Sequence, residues 1–376
     1  MKLYLVAGEA SGDARGAELM RALRGCDATL GFFGAGGREM RALAGGGFVD
    51  WADEAVVGLW DVLRKYGYFK RQFDRMLADI GRVAPDALIL IDYPGFNLRL
   101  AKAVRARHPR VKIIYYISPQ VWAWNRGRIP KMARMLDLML CIFPFEQPLY
   151  EQSGLKTIFV GHPMIDSLAS KKTGAAREEK LVGLFPGSRE KEVRKLFPVM
   201  LETMFAMASS EEGLSFEAAA ASPHLEALMR EILDEYSWTL LRVGERFSIT
   251  VDSSHSLMQR AMVGIVASGT ATLEAAFFGM PMVIVYKVAW LTWVVGKRLV
   301  RVEFLGMPNI LAGRRIVPEL LQEQAEFVLV SDVALELICH PSMRSEQQVR
   351  LAEVVAKLGG PGAAMRAAEA ICAALR

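Results

Sequence analysis

Several sequence signals are missing from this chain of 376 residues, and each absence narrows the possible functions. Only four cysteines occur and none forms a C-x-x-C pair, so neither a zinc site nor a disulfide framework is indicated. No apolar run reaches the roughly 18 residues of a membrane-spanning helix. The chain also lacks a Walker lysine motif, H-E-x-x-H, G-x-S-x-G and D-x-D, so we expect no metal and no cofactor.

The charge balance is mildly basic, with 46 Lys and Arg against 41 Asp and Glu, a net charge of +5 and a pI near 9.0. Without long basic runs, this excess favours anionic substrates or a membrane surface over a nucleic-acid groove. The scattered cysteines fit a reducing cytoplasm. We therefore expect a protein that is soluble or peripheral to a membrane.

The alternation of strand-like and helix-like segments predicts an α/β protein with two parallel, doubly wound sheets. We expect a first domain over residues 1–164, a polar linker over 165–180 and a second domain over 181–362, with the C-terminal helix 363–376 packing back on the first domain. The predicted strands are Leu3–Ala7, Gly31–Gly37, Ala87–Ile91, Val111–Ile117, Leu138–Phe143 and Thr157–Val160, then Leu181–Phe185, Phe216–Ala221, Thr239–Leu241, Val263–Ala267 and Met282–Tyr286.

The segment Val263–Lys287 reads as a strand, a Ser268-Gly269-Thr270 turn, a short helix and a second strand. Such a turn directs free backbone N–H groups at one point above the sheet, where a phosphate fits. Glu274 lies in the following helix, and a carboxylate, which only accepts hydrogen bonds, suits a sugar hydroxyl or a ribose diol. The alternative is an ordinary βαβ crossover with a small-residue turn.

A second turn of this kind follows the first strand of the second half, at Phe185-Pro186-Gly187-Ser188-Arg189. Its guanidinium matches a phosphate group bidentately. The alternative is a plain turn with a surface charge. Ligands of open α/β sheets bind at the carboxyl ends of strands, and both turns are predicted to lie there.

In the first half, Asp92 ends a buried strand, where a carboxylate can remove a proton from an attacking hydroxyl. The alternative is that Asp92 only caps a helix, in which case Glu9 or His162 is the next candidate base. Asn97 is expected to cap the next helix. Trp122 and Trp124 lie in a loop after a strand, either at the site or plugging the top of the sheet.

The stretch Val56–Phe73 mixes aromatic and apolar residues with Arg and Lys, a pattern suited to a lipid interface. An ordinary helix facing the core explains the same pattern. The residues expected to meet acyl chains or the membrane are Leu59, Trp60, Leu63, Tyr66 and Phe69. Trp290–Arg301 is similar in composition, and subunit contact is its alternative.

Five motifs together closely resemble those of the bacterial lipid-A-disaccharide synthases: AGEASGD at 7–13, SPQVWAW at 118–124, FPGSR at 185–189, SGTATLE at 268–274 and MPNILAGR at 307–314. The resemblance spans nearly the whole chain in the right order. It implies a GT-B glycosyltransferase, in which two Rossmann-like domains face a cleft. It further implies that UDP-2,3-diacylglucosamine is joined to 2,3-diacylglucosamine 1-phosphate through an inverted β(1→6) bond, with release of UDP.

The resemblance also implies roles for particular residues. Asp92 matches the proposed base of the family, and Arg189, Glu274 and Asn309 match residues that serve the UDP donor. The full donor set is Gly187, Ser188, Arg189, Ser268, Gly269, Thr270, Ala271, Thr272, Glu274 and Asn309. The acceptor set is Gly8, Glu9, Ser11, Gly12, Asp13, Trp122 and His162.

Members of the family are peripheral at the inner face of the inner membrane and can form dimers that exchange C-terminal segments, so the resemblance implies a cytoplasmic, peripheral homodimer. One departure is visible, because relatives often carry D-x-P-D-F-N where this chain has Gly95 in place of the second aspartate. The competing functions are a related UDP-sugar enzyme such as a 2-epimerase or another GT-B transferase, a nicotinamide-dependent oxidoreductase, and a lipid-binding protein without catalysis. The broken glycine fingerprint, with Glu39 in place of the third glycine after Gly34 and Gly36, argues against the oxidoreductase.

Overall fold

Two sheets of parallel strands, one in each half of the chain, organise the residues that the computed structural model describes, namely 1–46, 48–51, 66–288 and 303–376. The chain divides into two compact units. Unit 1 comprises Met1–Asp166 and Leu358–Arg376, and unit 2 comprises Ser167–Lys357.

Unit 1 contains a sheet of seven parallel strands in the order β3-β2-β1-β4-β5-β6-β7. The strands are β1 Lys2–Ala7, β2 Gly31–Gly36, β3 Phe48–Asp50, β4 Ala87–Ile91, β5 Lys112–Tyr116, β6 Leu138–Cys141 and β7 Thr157–Phe159. The helices are α1 Ala10–Cys26, α2 Arg38–Ala44, α3 Tyr66–Val83, α4 Pro94–Arg107, α5 Val121–Trp124, α6 Ile129–Ala133, α7 Glu146–Glu151, α8 Met164–Ala169, which crosses the boundary between the units, and the C-terminal α16 Ala363–Leu375.

Helices cover both faces of this sheet, which explains why its central strands are apolar at every position rather than alternating. All five residues of β4 are completely buried, for example. One face packs on α1 and α16, where Ala367, Ala368 and Ile371 are buried against the sheet. The C-terminal helix therefore belongs to the core of unit 1.

Unit 2 contains a sheet of six parallel strands in the order β10-β9-β8-β11-β12-β13. The strands are β8 Glu178–Phe185, β9 Ser215–Ala220, β10 Phe247–Val251, β11 Ala261–Ala267, β12 Met282–Tyr286 and β13 Glu319–Leu321. The helices are α9 Glu190–Ser210, α10 Pro223–Glu235, α11 Ser254–Arg260, α12 Thr270–Phe277, α13 Met307–Ala312, α14 Phe327–Cys339 and α15 Pro341–Lys357, with short 3-10 turns at Ser237–Leu241, Gly244–Arg246 and Gln322–Gln324. Unit 1 also contains a short 3-10 turn at Arg126–Arg128.

The strand predictions contain one error of placement and two omissions. Residues 239–241 form a 3-10 turn rather than a strand, and the sheet instead takes Phe247–Val251, whose half-buried, alternating pattern suits the edge position of β10. The second sheet does not end with β12, because Glu319–Leu321 adds β13. The sheet of unit 1 likewise contains a three-residue strand, Phe48–Asp50, that was not predicted. Very short strands carry too little periodicity to be recognised.

The segment expected to be a linker, residues 165–180, is partly regular. It contains most of α8 and the start of β8, and between them Thr173 donates its backbone N–H to Gln259 Oε1 at 2.7 Å. Arg177, in the same segment, donates hydrogen bonds to the carbonyl oxygens of Met258, Ala261 and Phe278. These contacts attach residues 173–180 to unit 2.

No helix among the described residues is long and apolar enough to cross a membrane.

Candidate active site

A cavity of about 600 Å³ opens in unit 2 at the carboxyl ends of four neighbouring strands, β10, β9, β8 and β11. Its wall is formed by the turns and helix starts that follow these strands. The lining residues are Lys171, Phe185, Gly187, Ser188, Arg189, Glu192, Ala219, Ala221, Asp252, Ser254, His255, Met258, Ala267, Ser268, Gly269, Thr270, Ala271 and Glu274. Both turns that the sequence singled out therefore meet in one cavity, at the position where parallel sheets bind ligands.

Two helices begin at this cavity without a side-chain cap. The residue before α9 is Arg189 and the residue before α12 is Gly269, and neither N-terminus receives a capping hydrogen bond from a side chain at that position. The first N–H groups of each helix consequently lack intrahelical partners, and the helix dipole places partial positive charge there. Two uncapped helix starts on adjacent strands, β8 and β11, make an anion site suited to two linked phosphates.

The backbone of both turns requires glycine. Gly187 has φ of 115°, and a Cβ atom there would lie 2.6 Å from Glu192 Oε2. Gly269 has φ of 152°, in a region that side chains rarely adopt, although a Cβ there would meet open space. These conformations turn the chain so that the helix starts face the cavity.

Arg189 supplies the cation that the sequence predicted at the cavity. Its guanidinium is 67% exposed and donates to Glu192 Oε1 at 2.8 Å. Because this pair is exposed and lies within one helical turn, it is weak and leaves the remaining guanidinium N–H groups able to meet a ligand. Arg189 thus faces the cavity with one carboxylate partner.

Three of the other predicted donor residues use their side-chain polar groups in hydrogen bonds within unit 2. Ser268 donates its hydroxyl to Leu305 O at 3.2 Å, and buried Thr272 donates to Gly269 O at 2.7 Å. Asn309 is fully buried: its amide donates to Val317 O and Glu319 Oε1, and its Oδ1 accepts from the N–H groups of Ile316 and Val317. Asn309 therefore holds the loop after α13, and Thr272 fixes the start of α12.

Glu274 lies one turn inside α12 and faces His255, with 3.6 Å between Glu274 Oε2 and His255 Nε2. The other ring nitrogen, His255 Nδ1, lies 3.2 Å from Lys171 Nζ. His255 and Glu274 are half-buried, at 29% and 25% exposure, whereas Lys171 is exposed. Sequence reasoning missed both His255 and Lys171.

In unit 1, Asp92 follows β4 at the carboxyl edge of the sheet, and its backbone is held in an unusual conformation. Asp92 and Tyr93 both have left-handed φ angles, 45° and 49°. The Asp92 carbonyl oxygen accepts from Tyr115 Oη at 2.5 Å and from Asn97 Nδ2 at 2.7 Å, and Asn97 also donates to Ile91 O. Consecutive left-handed residues that are not glycine are strained, and such strain concentrates at functional sites.

Asn97 does not cap α4 as expected. The residue before that helix is Tyr93, and no side-chain cap is present. The Asn97 amide instead donates to the carbonyl oxygens of Ile91, the last residue of β4, and of Asp92. Asn97 therefore fixes the Asp92 turn rather than the start of the helix.

The surroundings of Asp92 favour its protonated form. Burial chiefly, with a smaller contribution from the negative charge of Glu9, raises the pKa of Asp92 to about 6, although a backbone hydrogen bond from Tyr93 partly opposes the shift. Glu9 is near because Ala7 pairs with Ile91 across the adjacent strands β1 and β4. A carboxylate with a pKa near 6 is a stronger base than an ordinary aspartate and is still mostly ionised at neutral pH.

The glycine at position 8 allows this close approach. A Cβ atom on Gly8 would lie 2.4 Å from the Tyr93 ring. Ser11 is exposed and Gly12 is buried in the first turn of α1, whose N-terminus has no side-chain cap. Gly8, Glu9 and the start of α1 thus lie beside the Asp92 turn.

Asp13, a member of the predicted acceptor set, has a structural contact that the sequence did not predict. Its buried carboxylate accepts from the backbone N–H groups of Gly37, Glu39 and Met40 at 2.8, 2.9 and 3.1 Å. These groups form the start of α2, so Asp13 caps a helix distant in sequence. The physical reason is that the residue before α2, Gly37, has no side chain that could cap the helix.

Trp122 is also buried, with 3% exposure, and its Nε1 donates to Glu146 Oε1 at 2.9 Å. The fully buried Glu146 carboxylate further accepts from Ser118 Oγ and from the Phe143 N–H. Burial raises the pKa of Glu146 to about 7, while these three donors favour its ionised form. The segment SPQVWAW is therefore held by a buried carboxylate, and Trp122 is buried in the short helix that follows β5.

His162 follows β7 and accepts the Met164 N–H at Nδ1, at 3.1 Å. Burial and the nearby positive charge of Arg15 lower the pKa of His162 to about 4. Its ring packs on Phe143, with 5.2 Å between the ring centroids. His162 is thus neutral at physiological pH and caps the start of α8.

Aromatic rings surround the Asp92 turn. Tyr93 packs edge-on against Trp51 at 5.9 Å between centroids, and Trp51 contacts Phe69 at 6.4 Å and Phe96 at 4.5 Å. Phe69 therefore packs against the core of unit 1. This agrees with the alternative interpretation of Val56–Phe73, in which the stretch is an ordinary helix that faces the core. Leu59, Trp60, Leu63 and the side chain of Tyr66 lie outside the described residues, as does the whole of Trp290–Arg301.

Within the described ranges, no three His, Cys, Asp or Glu side chains come together in a group that could hold a metal ion.

Two comparisons concern the fold. The structure of a UDP-N-acetylglucosamine 2-epimerase from Neisseria meningitidis bound to UDP-GlcNAc superposes with a TM-score of 0.60 over 100% of this chain and 99% of that chain, at 13% sequence identity. A glycosyltransferase of kitacinnamycin superposes with a TM-score of 0.61 over 100% of this chain and 99% of that one, at 15% identity. With two Rossmann-like units of parallel strands, these likenesses confirm the predicted α/β class and define a protein of the GT-B fold.

Sequence comparison then identifies the family. The profile described as "Lipid-A-disaccharide synthetase" matches residues 3–373. Lipid-A-disaccharide synthases of Geobacter metallireducens and Geobacter sulfurreducens are 40% and 41% identical to this chain, and each alignment covers 98% of this chain and 95% of the relative. The chain belongs to the lipid-A-disaccharide synthase family, and it is a glycosyltransferase of lipid A biosynthesis.

Proposed function

We propose that this enzyme joins UDP-2,3-diacylglucosamine to 2,3-diacylglucosamine 1-phosphate in a β(1→6) linkage, with inversion at the donor carbon and release of UDP. The observation that carries this proposal is the unit 2 cavity, where two uncapped helix starts and Arg189 meet at the ends of β8 and β11. Family membership supplies the substrate class, a lipid-linked sugar.

The donor binds through its pyrophosphate to the starts of α9 and α12. Gly187, Ser188, Gly269, Thr270 and Ala271 present backbone N–H groups, and Arg189 adds charge. Glu274 accepts hydrogen bonds from hydroxyl groups of the nucleotide. Ser268, Thr272 and Asn309 act indirectly, because their hydrogen bonds hold the loops around this cavity. This arrangement neutralises a pyrophosphate without a metal ion.

Asp92 serves as the general base for the acceptor hydroxyl. A primary alcohol is a poor nucleophile until it loses its proton, and Asp92 takes that proton as the new bond to the donor carbon forms. Its raised pKa, about 6, strengthens it as a base. The leaving group, UDP, departs with its charge stabilised by the helix starts and Arg189.

The acceptor binds at the start of α1, beside Asp92. The uncapped N–H groups in the first turn, at Ser11 and Gly12, suit the 1-phosphate of the acceptor. Glu9 tunes Asp92, and Asp13, Trp122 and His162 hold the surrounding loops. The aromatic rings around Tyr93 provide an apolar surface for an acyl chain.

Acceptor-dependent release of UDP tests this function. Purified enzyme is mixed with UDP-2,3-diacylglucosamine in detergent, with and without 2,3-diacylglucosamine 1-phosphate. We expect UDP release only when the acceptor is present, together with a disaccharide phosphate detected by mass spectrometry. Release without an acceptor, or conversion of UDP-N-acetylglucosamine to its 2-epimer, would contradict the proposal and favour the epimerase alternative.

Because both substrates carry acyl chains, we further propose that the enzyme is a cytoplasmic protein peripheral to the inner face of the inner membrane and that residues 56–73 contact lipid. Basic residues near an anionic surface contribute about 1 kcal/mol each. Flotation with vesicles containing anionic lipid should decrease in high salt and in Trp60→Glu, whereas Trp238→Glu, at an exposed site in unit 2, serves as a matched control. Equal flotation of Trp60→Glu and the wild type would contradict lipid contact through residues 56–73 and favour a structural role for them. We also propose a homodimer, which light scattering of the same preparation tests.

A further inference from the structure

Three side chains from separate segments meet in the unit 2 cavity. Lys171 comes from the segment after α8, His255 from the first turn of α11 and Glu274 from α12. Lys171 Nζ lies 3.2 Å from His255 Nδ1, and His255 Nε2 lies 3.6 Å from Glu274 Oε2. The histidine ring is therefore placed between a cation and a carboxylate.

The chemistry of these groups fixes the hydrogen on the histidine ring. A lysine ammonium can only donate, so His255 Nδ1 must accept its hydrogen bond and carries no hydrogen. In a neutral imidazole the hydrogen then sits on Nε2, the nitrogen that faces Glu274. At 3.6 Å the Nε2 contact is just beyond hydrogen-bonding length, and a shift of about 0.5 Å in either side chain closes it. Lys171 thus selects the tautomer that can donate to Glu274.

Once this contact closes to a hydrogen bond, the Glu274 carboxylate presents its lone pairs in a fixed direction. One Glu274 oxygen meets His255, and the remaining acceptor capacity is left for hydroxyl groups of a ligand. The His255 ring also packs against Phe278, with 5.8 Å between the ring centroids, which limits rotation of the histidine. A hydroxyl pair bound here would therefore find its acceptor already oriented.

The position of Glu274 indicates which hydroxyls it receives. The transferred sugar must be accessible to an acceptor, whereas the nucleoside stays on the enzyme, so the more enclosed end of the cavity suits the nucleoside. Glu274 and His255 are 25% and 29% exposed, against 67% for Arg189. Glu274 also lies one helical turn from the phosphate-binding start of α12, a distance of about 5 to 6 Å. The ribose is the part of a nucleotide that lies next to its phosphates.

We propose that Lys171 and His255 are positioning residues that orient Glu274 toward the ribose hydroxyls, so that the cavity selects a ribonucleotide over a deoxyribonucleotide. This inference rests on the proposed binding of UDP in unit 2.

Calorimetric titration of the full-length enzyme with UDP and with 2′-deoxy-UDP tests the inference. The wild type should bind UDP about 10-fold more tightly than 2′-deoxy-UDP, since an oriented carboxylate left without its hydroxyl partner is penalised. In His255→Leu this ratio should fall to about 2 or less, chiefly through weaker UDP binding. Lys171→Met should give an intermediate ratio, because the ring then loses its fixed tautomer.

Further variants separate positioning from structural damage. His255→Gln offers an amide N–H to Glu274 and should retain a larger ratio than His255→Leu. Lys172→Met removes a neighbouring charge that contacts Phe277 rather than His255, and His340→Leu removes an exposed histidine outside the cavity. Both controls should preserve the wild-type ratio. Because the measured quantity is a ratio of two ligands on one protein, a general loss of folded protein does not change it.

The outcomes distinguish failure of the proposed donor site from failure of the positioning role of Lys171 and His255. A wild type that binds neither nucleotide would overturn the proposed donor site. A wild type that binds both equally, or a His255→Leu variant that binds UDP and keeps the full ratio, would overturn the positioning role while leaving the donor site standing.

Discussion

Replacing the proposed base, Asp92, with asparagine should have opposite effects on activity and stability. Asparagine keeps the size of the side chain and an oxygen that can accept the Tyr93 N–H, but it removes the negative charge and the basicity. Turnover should fall about 100-fold or more, as expected when a general base is lost. If Asp92 only held the turn, the conservative replacement would leave activity nearly intact.

The stability change can be worked out from the pKa. The pKa of Asp92 is raised from 3.8 to about 6, mainly by burial, so the folded state binds the proton more tightly than the unfolded state does. Ionised Asp92 therefore destabilises the fold above pH 6, and this penalty disappears as the pH falls below 3.8. The difference of about 2.2 pKa units corresponds to about 3 kcal/mol. Asp92→Asn should accordingly stabilise the protein at pH 7 by up to about 3 kcal/mol and have little effect at pH 4.

Two measurements check these expectations. Denaturant unfolding of the wild type and Asp92→Asn at pH 4 and pH 7 gives the stability difference, with Asp74→Asn, at an exposed position on α3, as the control. The pH dependence of turnover should rise to a plateau through about pH 6 in the wild type, because the base must be ionised. An Asp92→Asn protein that is less stable at pH 7 and loses activity only in proportion would refute the assignment of Asp92 as the base.

Three further predictions concern the donor site, the Asp92 turn and metal independence. Arg189→Ala should weaken UDP binding about 10-fold by calorimetry, a moderate effect because the guanidinium is exposed and paired with Glu192. The control Lys191→Ala should leave UDP binding unchanged. An equal loss of affinity in both variants would show that Arg189 acts only through the general positive charge of the surface. Tyr115→Phe removes a hydrogen bond to the Asp92 carbonyl oxygen and should lower kcat about 10-fold with unchanged UDP affinity. A variant with the kcat of the wild type would show that this hydrogen bond does not position the base. Treatment with EDTA should leave turnover unchanged, and a loss that only magnesium restores would contradict metal-independent binding of the pyrophosphate.

The sequence predicted the parts of this protein whose signals are local. Buried parallel strands such as Ala87–Ile91 and Met282–Tyr286 are continuous apolar runs, and their bounds agree with the structure. The turns at Gly187 and Gly269 carry small residues after such strands, so their place in one cavity followed from the rule for parallel sheets.

Features that depend on partners distant in sequence could not be predicted. Asp13 caps α2 from another helix, and Glu146 binds Trp122 across 24 positions, so nothing beside either residue reveals its role. His255 was missed for a more specific reason. The strand before it was placed at 239–241 instead of Phe247–Val251, so the segment that contains His255 was not recognised as the end of a strand.

The most direct test of the proposed reaction is the structure of its product. Wild-type enzyme is incubated with UDP-2,3-diacylglucosamine and 2,3-diacylglucosamine 1-phosphate, and the purified lipid is examined by NMR for the position and anomeric configuration of the new bond. The proposed mechanism, in which Asp92 activates the 6-hydroxyl for attack opposite UDP, predicts a single β(1→6) disaccharide 1-phosphate. An α linkage, a bond to another hydroxyl, or free diacylglucosamine as the main product would contradict it.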